Sequence, residues 1–235
     1  MSSRLKMALR EIEKYHERLI GGVLQFQKHV YPRQRATYQE LVRNGQKPHT
    51  LFITCADSRI DPERITQSDP GELFVCRNVG NLVPEFGRAS DCVSAVVEYA
   101  VDALRVSQIV VCGHTDCGAM IGLLHPQKVA QLPAVTSWLR NGKAALRFVH
   151  KQDQGRGESA ALKVLTEENV LQQLRHLRSY PSVSAALASA ALTLFAWVYD
   201  IGHGTIRIYS EDRNKFLPAK STLSTLPALS ARYSE

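Results

Sequence analysis

Apolar residues recur at helical spacing from the start of the chain: Leu5, Ala8, Leu9, Ile12 and Tyr15, then Leu19, Val23 and Phe26. Side chains three and four apart share a helix face, so the pattern predicts amphipathic helices. Tyr31-Pro32 predicts a break, because proline disfavours helical geometry in the residue before it. Another short helix is predicted over 34–43, stopped by Asn44-Gly45, a pair suited to the left-handed conformation that ends helices. Such helices need an apolar surface to cover, and a second subunit is the expected one.

Further along, short apolar runs at 50–54, 73–76, 108–112 and 191–198 alternate with helical patterns near 90–105, 115–124 and 158–179. This alternation predicts an α/β fold with a mainly parallel central sheet of four strands, flanked by helices. Gly204 to Ser210 follows a glycine-rich turn and is expected to add an antiparallel edge strand. Asp153-Gln154-Gly155-Arg156-Gly157 reads as a loop between helices. The chain reads as a single domain over 1–235, with an N-terminal helical arm (1–44), an α/β core (45–210) and a C-terminal tail (211–235). Ser182 to Val198 is long and weakly polar, but its Ala and Ser content and the Asp200, Gly202 and His203 that follow suit a helix feeding a strand. No membrane span is expected.

With 235 residues, 44% hydrophobic and 22% charged, the chain is long enough for a full core. The net charge of +7 raises nucleic acid as a partner, but Lys and Arg are scattered and not interleaved with aromatics, so none is expected. The first twenty residues are charged (Arg4, Lys6, Arg10, Glu11, Glu13, Lys14) and lack the apolar stretch of a secretory signal, which points to the cytoplasm. Five cysteines in a reducing compartment bind metal or pack as apolar groups. Cys76, Cys92 and Cys112 read as core.

Cys55 and His114 read differently. Cys55-Ala56-Asp57-Ser58-Arg59 directly follows the first predicted strand, and Gly113-His114-Thr115-Asp116-Cys117-Gly118-Ala119 follows the third. In open parallel sheets, ligands collect at the carboxyl ends of strands. Cys55, His114 and Cys117 form a three-ligand zinc set, and three protein ligands with one open position mark a catalytic site. Asp57 and water compete for the fourth position, with Arg59 competing in turn for Asp57. Two thiolates and a neutral imidazole cancel the charge of zinc, so its water needs help to ionise. Asp57 can accept a hydrogen bond from zinc-bound hydroxide while Arg59 keeps the carboxylate ionised and off the metal, and the expected reaction is hydroxide attack on an electrophilic carbon.

Cys-x-Asp-x-Arg and His-x-x-Cys-Gly in this strand context resemble the β-class carbonic anhydrases, over about residues 45–210. The resemblance implies a zinc enzyme that interconverts carbon dioxide and bicarbonate, with ligands Cys55, His114 and Cys117 and a catalytic dyad of Asp57 and Arg59. It also implies substrate contacts from Gln46, Phe74, Val79, Tyr99 and the backbone N–H of Gly118. The pocket would be shared across a homodimer, alone or in a dimer-based tetramer. A second branch of the family places the aspartate on zinc and binds bicarbonate near a Trp, an Arg and a Tyr. Arg77 and Tyr199 match that pattern, whereas Phe52 stands where that branch has Trp, so the open-site, plant-like branch is expected. Phe195-Ala196 departs from the His-Gly usual in the family. The same ligands would serve a carbonyl sulfide or carbon disulfide hydrolase, and a non-catalytic bicarbonate-binding or interaction protein with a retained zinc site is the alternative outside enzymes. Were zinc lost to oxidation, Cys55 and Cys117 could pair.

Overall fold

The computed structural model describes residues 3–87, 92–152 and 157–223. They fall into two compact units divided between Gln46 and Lys47. The interhelix loop predicted at 153–157 lies, except for Gly157, outside the described residues, as does the tail beyond 223.

The first unit is helical: α1 (Ser3–Gln25) and α2 (Tyr31–Asn44), joined by a π turn at Phe26–Val30. The break expected at Tyr31-Pro32 does not occur. The backbone N–H of Tyr31 reaches the carbonyl of Phe26, five residues back, and this wider turn lets the helix run on through Pro32, the second residue of α2. Gly45, at φ +72°, ends α2 as expected. Phe26, Tyr31 and Tyr38 pack together, the two tyrosine rings stacked at 5.6 Å. Met7, Ile12, Leu19, Val23 and Val42 are exposed.

The second unit is built on a six-stranded sheet in the order β2-β1-β3-β4-β5-β6. Its strands are β1 (Thr50–Cys55), β2 (Leu73–Asn78), β3 (Gln108–His114), β4 (Thr193–Asp200), β5 (Thr205–Ser210) and β6 (Lys215–Pro218). The first four are parallel, and β5 and β6 are antiparallel additions. The edge beyond β5 is therefore not free, contrary to expectation. A turn with Asn214 in the left-handed region returns the chain, and Phe216 packs on Tyr209 at 5.3 Å. With only Phe216 and Leu217 apolar before Pro218, β6 is too short to register as a hydrophobic run.

Helices between the strands are α3 (Pro62–Thr66), α4 (Cys92–Glu98), α5 (Gly118–Leu124), α6 (Pro133–Leu139), α7 (Leu146–Gln152), α8 (Glu158–Leu177), α9 (Pro181–Ala188) and the terminal α10 (Ala219–Leu223). Alternate residues of the strands, Leu51, Ile53, Ile109, Val111, Ala196 and Val198, are buried with Val97, Val170, Leu177 and Val183 from α4, α8 and α9. Burial of each such Leu, Ile or Val contributes about 1.5–3 kcal/mol. The other strand face carries Phe52 and Val110 with Val75, Phe195 and Trp197. Cys76 and Cys112 are buried as expected, but Cys92, at the start of α4, is exposed. It occupies the solvent side of a helix whose buried face is Val93 and Val97.

Parallel pairing sets the carboxyl ends of β2, β1, β3 and β4 along one edge of the sheet. Asn78 lies beside Cys55, and His114 beside Tyr199.

Candidate metal centre

Cys55 ends β1, His114 ends β3, and Cys117 immediately precedes α5. One ligand atom from each lies within 4.8 Å of the others, and all three residues are buried. The two sulfurs are 3.9 Å apart. His114 Nδ1 donates to the carbonyl of Thr115 at 2.8 Å, which fixes the tautomer and leaves Nε2 as a bare acceptor. That Nε2 is buried without a hydrogen-bond partner. An orphaned buried polar atom costs about 1–3 kcal/mol. Convergence of this lone pair with two sulfurs fits a metal ion, and two sulfurs with one imidazole nitrogen are a zinc-type donor set with one coordination position left.

The charges support the same fit. The hydrogen bond from Cys117 draws the Cys55 thiol well below its usual range, against burial, with the N–H of Gly80 helping. Sharing that proton and burial push Cys117 up. A cation seated between the two sulfurs would displace the proton they share.

Asp57 stands beside this group, its Oδ2 4.0 Å from His114 Nε2. Both carboxylate oxygens are nonetheless taken by Arg59: Nε donates to Oδ1 at 2.9 Å and Nη2 to Oδ2 at 2.8 Å. The backbone N–H of Arg59 adds a third bond to Oδ1 at 3.0 Å. These bonds hold Asp57 well below the usual carboxylate range. Arg59 also donates to the carbonyl of Asp116, in a turn where Asp116 takes φ +56°.

Arg77 points back along the strand ends, donating to the carbonyls of Cys55 at 3.2 Å and Asp57 at 2.7 Å. It braces the backbone carrying both side chains. Tyr199 pairs with His114 in the sheet, while Phe52 is buried edge-on against Trp197 at 5.8 Å. Phe195 and Ala196 lie mid-strand beside Val110 and Val111, where they serve packing rather than the strand ends.

The remaining residues from the sequence pattern divide. Gly118 adjoins Cys117, and Val79 follows Asn78, so both lie near the strand ends. Phe74 and Tyr99 meet each other, with ring centroids 5.9 Å apart. Phe74, however, pairs with Leu51, four residues before Cys55, or about 13 Å down the strand. They are not brought to the Cys-His-Cys group of their own chain. Gln46 is exposed at the end of the first unit. Thr115, Gly80 and the bracing role of Arg77 were not legible in the motifs. Their bonds depend on turns and distant elements, and only the Thr-Asp turn following His114 hints at one of them.

A family model described as carbonic anhydrase matches residues 50–206. A carbonic anhydrase from Pseudomonas aeruginosa is 47% identical over 188 residues, covering 80% of this chain and 84% of that protein. One from Synechocystis is 38% identical over 211 residues, 89% of this chain and 77% of the relative. The solved structure of the β-carbonic anhydrase CcaA superposes with a TM-score of 0.84 at 38% identity, over 87% of this chain and 92% of that one. A structure described with two tetrameric β-carbonic anhydrases from Sordaria macrospora gives a TM-score of 0.63 at 29% identity, over 88% and 97% of the two chains. Among the described residues, no helix is long and apolar enough to cross a membrane.

Proposed function

The chain belongs to the β-carbonic anhydrase family, a family of enzymes, and from that premise we propose that it hydrates carbon dioxide reversibly on zinc held by Cys55, His114 and Cys117. The observation that carries this reading is the bare, buried Nε2 of His114 converging with two sulfurs beside a carboxylate already claimed by Arg59. When bound, zinc supplies a Lewis acid that acidifies water near neutral pH.

The protein's own groups do the rest. Asp57 accepts the hydrogen of the nucleophilic oxygen and so turns a lone pair toward the substrate carbon. Arg59 keeps Asp57 ionised and away from the fourth coordination position, which is the open, plant-like arrangement. The N–H of Gly118 donates to a substrate oxygen, and Val79 offers carbon dioxide an apolar wall. A new carbon–oxygen bond forms, bicarbonate leaves, and the proton passes to solvent.

Phe74 and Tyr99 serve the pocket of a second copy. Their separation from Cys55 within one chain supports this, as do the exposed apolar residues of α1, which are suited to covering another subunit. The working form is a homodimer or a dimer-based tetramer. The cytoplasm suits a centre whose two cysteines must stay reduced.

Stopped-flow hydration of carbon dioxide, on protein of measured zinc content, tests the reading. Turnover should scale with zinc and largely disappear in Asp57→Ala that retains zinc. Faster turnover of carbonyl sulfide by the same preparation would assign the sulfur substrate instead, and bicarbonate binding with no turnover would mean a non-catalytic protein.

A further inference from the structure

Cys55 Sγ accepts a backbone hydrogen bond from across the sheet edge, from the N–H of Gly80 at 3.4 Å, besides one from the N–H of Asp57. That N–H belongs to the peptide joining Val79 and Gly80. The carbonyl of the same peptide accepts the indole N–H of Trp138, on α6, at 2.8 Å. The next peptide is held as well: the carbonyl of Gly80 accepts Asn169 Nδ2, from α8, at 3.2 Å. Asn169 is 1% exposed, and its Oδ1 accepts Gln173 Nε2 at 2.9 Å, while Gln173 Oε1 accepts the N–H of Val83 at 2.8 Å.

Gly80 itself does not fix this geometry. It sits at φ +82°, and a Cβ there would lie 2.7 Å from that of Ala119, so only glycine fits. Glycine is the residue with the greatest backbone freedom. The aim of its N–H must therefore be set from outside, and the two peptides flanking it are each held by a side-chain donor. Burying the amides of Asn169 and Gln173 is costly unless they are bonded, and both are bonded toward this loop.

We propose that Trp138 and Asn169 are positioning residues for the metal-binding thiolate of Cys55, acting through the two peptides that flank Gly80. A hydrogen bond to a metal-bound thiolate withdraws charge from the sulfur and leaves the metal more electrophilic. Trp138 polarises the donating peptide and fixes its plane, and Asn169 stops Gly80 from rotating. The inference rests on the reading of Cys55 as a metal ligand.

The test is cobalt(II) substitution of the full-length protein, read by absorption spectroscopy and by metal affinity. In Trp138→Phe and Asn169→Leu, the sulfur-to-cobalt charge-transfer band should move to lower energy and affinity should fall by about tenfold or more. Trp197→Phe is the control, because the Trp197 indole nitrogen is buried without a hydrogen-bond partner and lies in the Phe52 cluster. An unchanged band in both variants, or the same change in all three, overturns the proposal. A wild-type protein with no sulfur-to-cobalt band overturns the metal reading, and this inference with it. If the variants do not fold, wild-type protein loaded with cadmium-113 decides by NMR. Scalar coupling between the metal and the Gly80 amide proton is expected, and its absence, with cysteine couplings resolved, is contrary.

Discussion

Asp57 gives both carboxylate oxygens to Arg59, at 2.9 and 2.8 Å, although one of them stands 4.0 Å from the bare Nε2 of His114. A carboxylate beside a metal centre has two cations to choose between, and here the guanidinium holds it in a two-pronged grip with a backbone N–H added. Arg77 reinforces the choice by pinning the carbonyl of Asp57. A metal held by Cys55, His114 and Cys117 would thereby keep a free position, which is the difference between a closed and a reactive zinc centre.

Arg59→Ala should release Asp57 to the metal. Carbon dioxide hydration at neutral pH is expected to fall by about tenfold or more, with zinc content kept and activity recovered only toward high pH. X-ray absorption should report a new oxygen ligand on zinc. An unchanged coordination shell with normal turnover would mean that Arg59 does not hold the site open.

Zinc should stabilise the fold, because its ligands converge only in the folded chain. At a free concentration one hundred times its dissociation constant, a ligand adds about 2.7 kcal/mol. Thermal melts with and without chelator should differ accordingly. Cys117→Ser should lose most of that difference, since it removes one of only three ligands.

Much of this was legible because strands and chemistry coincide in the sequence. The runs at 50–54 and 108–112 are mostly apolar and lead directly to Cys55 and His114, so strand identity and site location come from neighbouring residues. Phe52 and Trp197 escaped as a pair because their contact depends on sheet register across nonadjacent strands. The π turn at Phe26–Val30 was hidden because Tyr31-Pro32 is locally a stop, and only the bond from Tyr31 to Phe26 overrides it. Asn169 lies 89 residues from the glycine it holds, and no local pattern relates them. Trp138, 59 residues from Val79, was equally out of reach of motif reasoning.

Leu19, 71% exposed on α1, should report assembly. Leu19→Glu places a charge on the apolar side of the helix, and burying an unpaired charge is costly. Sedimentation velocity should show the dimer weakened by at least about tenfold, with turnover per zinc falling in parallel as shared pockets come apart. An intact assembly would mean that this part of α1 covers no partner.

Phe52→Trp tests the position at which the resemblance separates the two branches of the family. Phe52 is 1% exposed and edge-on to Trp197, so a larger ring has no free volume. Overpacking costs about 1–3 kcal/mol, readable as a lower denaturant midpoint. Zinc content should not change. A variant as stable as wild type would show that the face between β1 and β4 yields easily, and that Phe52 is no barrier to the closed arrangement.

Glu168 gives the pH dependence of the scaffold away from the metal. Burial raises its pKa, with Glu167 adding to the rise and Arg175 opposing it. A carboxylate raised on folding binds its proton more tightly in the native state than in the unfolded chain. Stability then declines as pH rises from the ordinary glutamate range, about 4.3, through the higher folded value. Glu168→Gln removes the ionisation, so the variant should melt above wild type near neutral pH. The advantage should shrink as the pH falls and disappear once wild-type Glu168 is protonated in both states. Melting curves of both proteins across that interval check the sign, and an advantage that grows toward acid would reverse the assignment of burial as the dominant influence on Glu168.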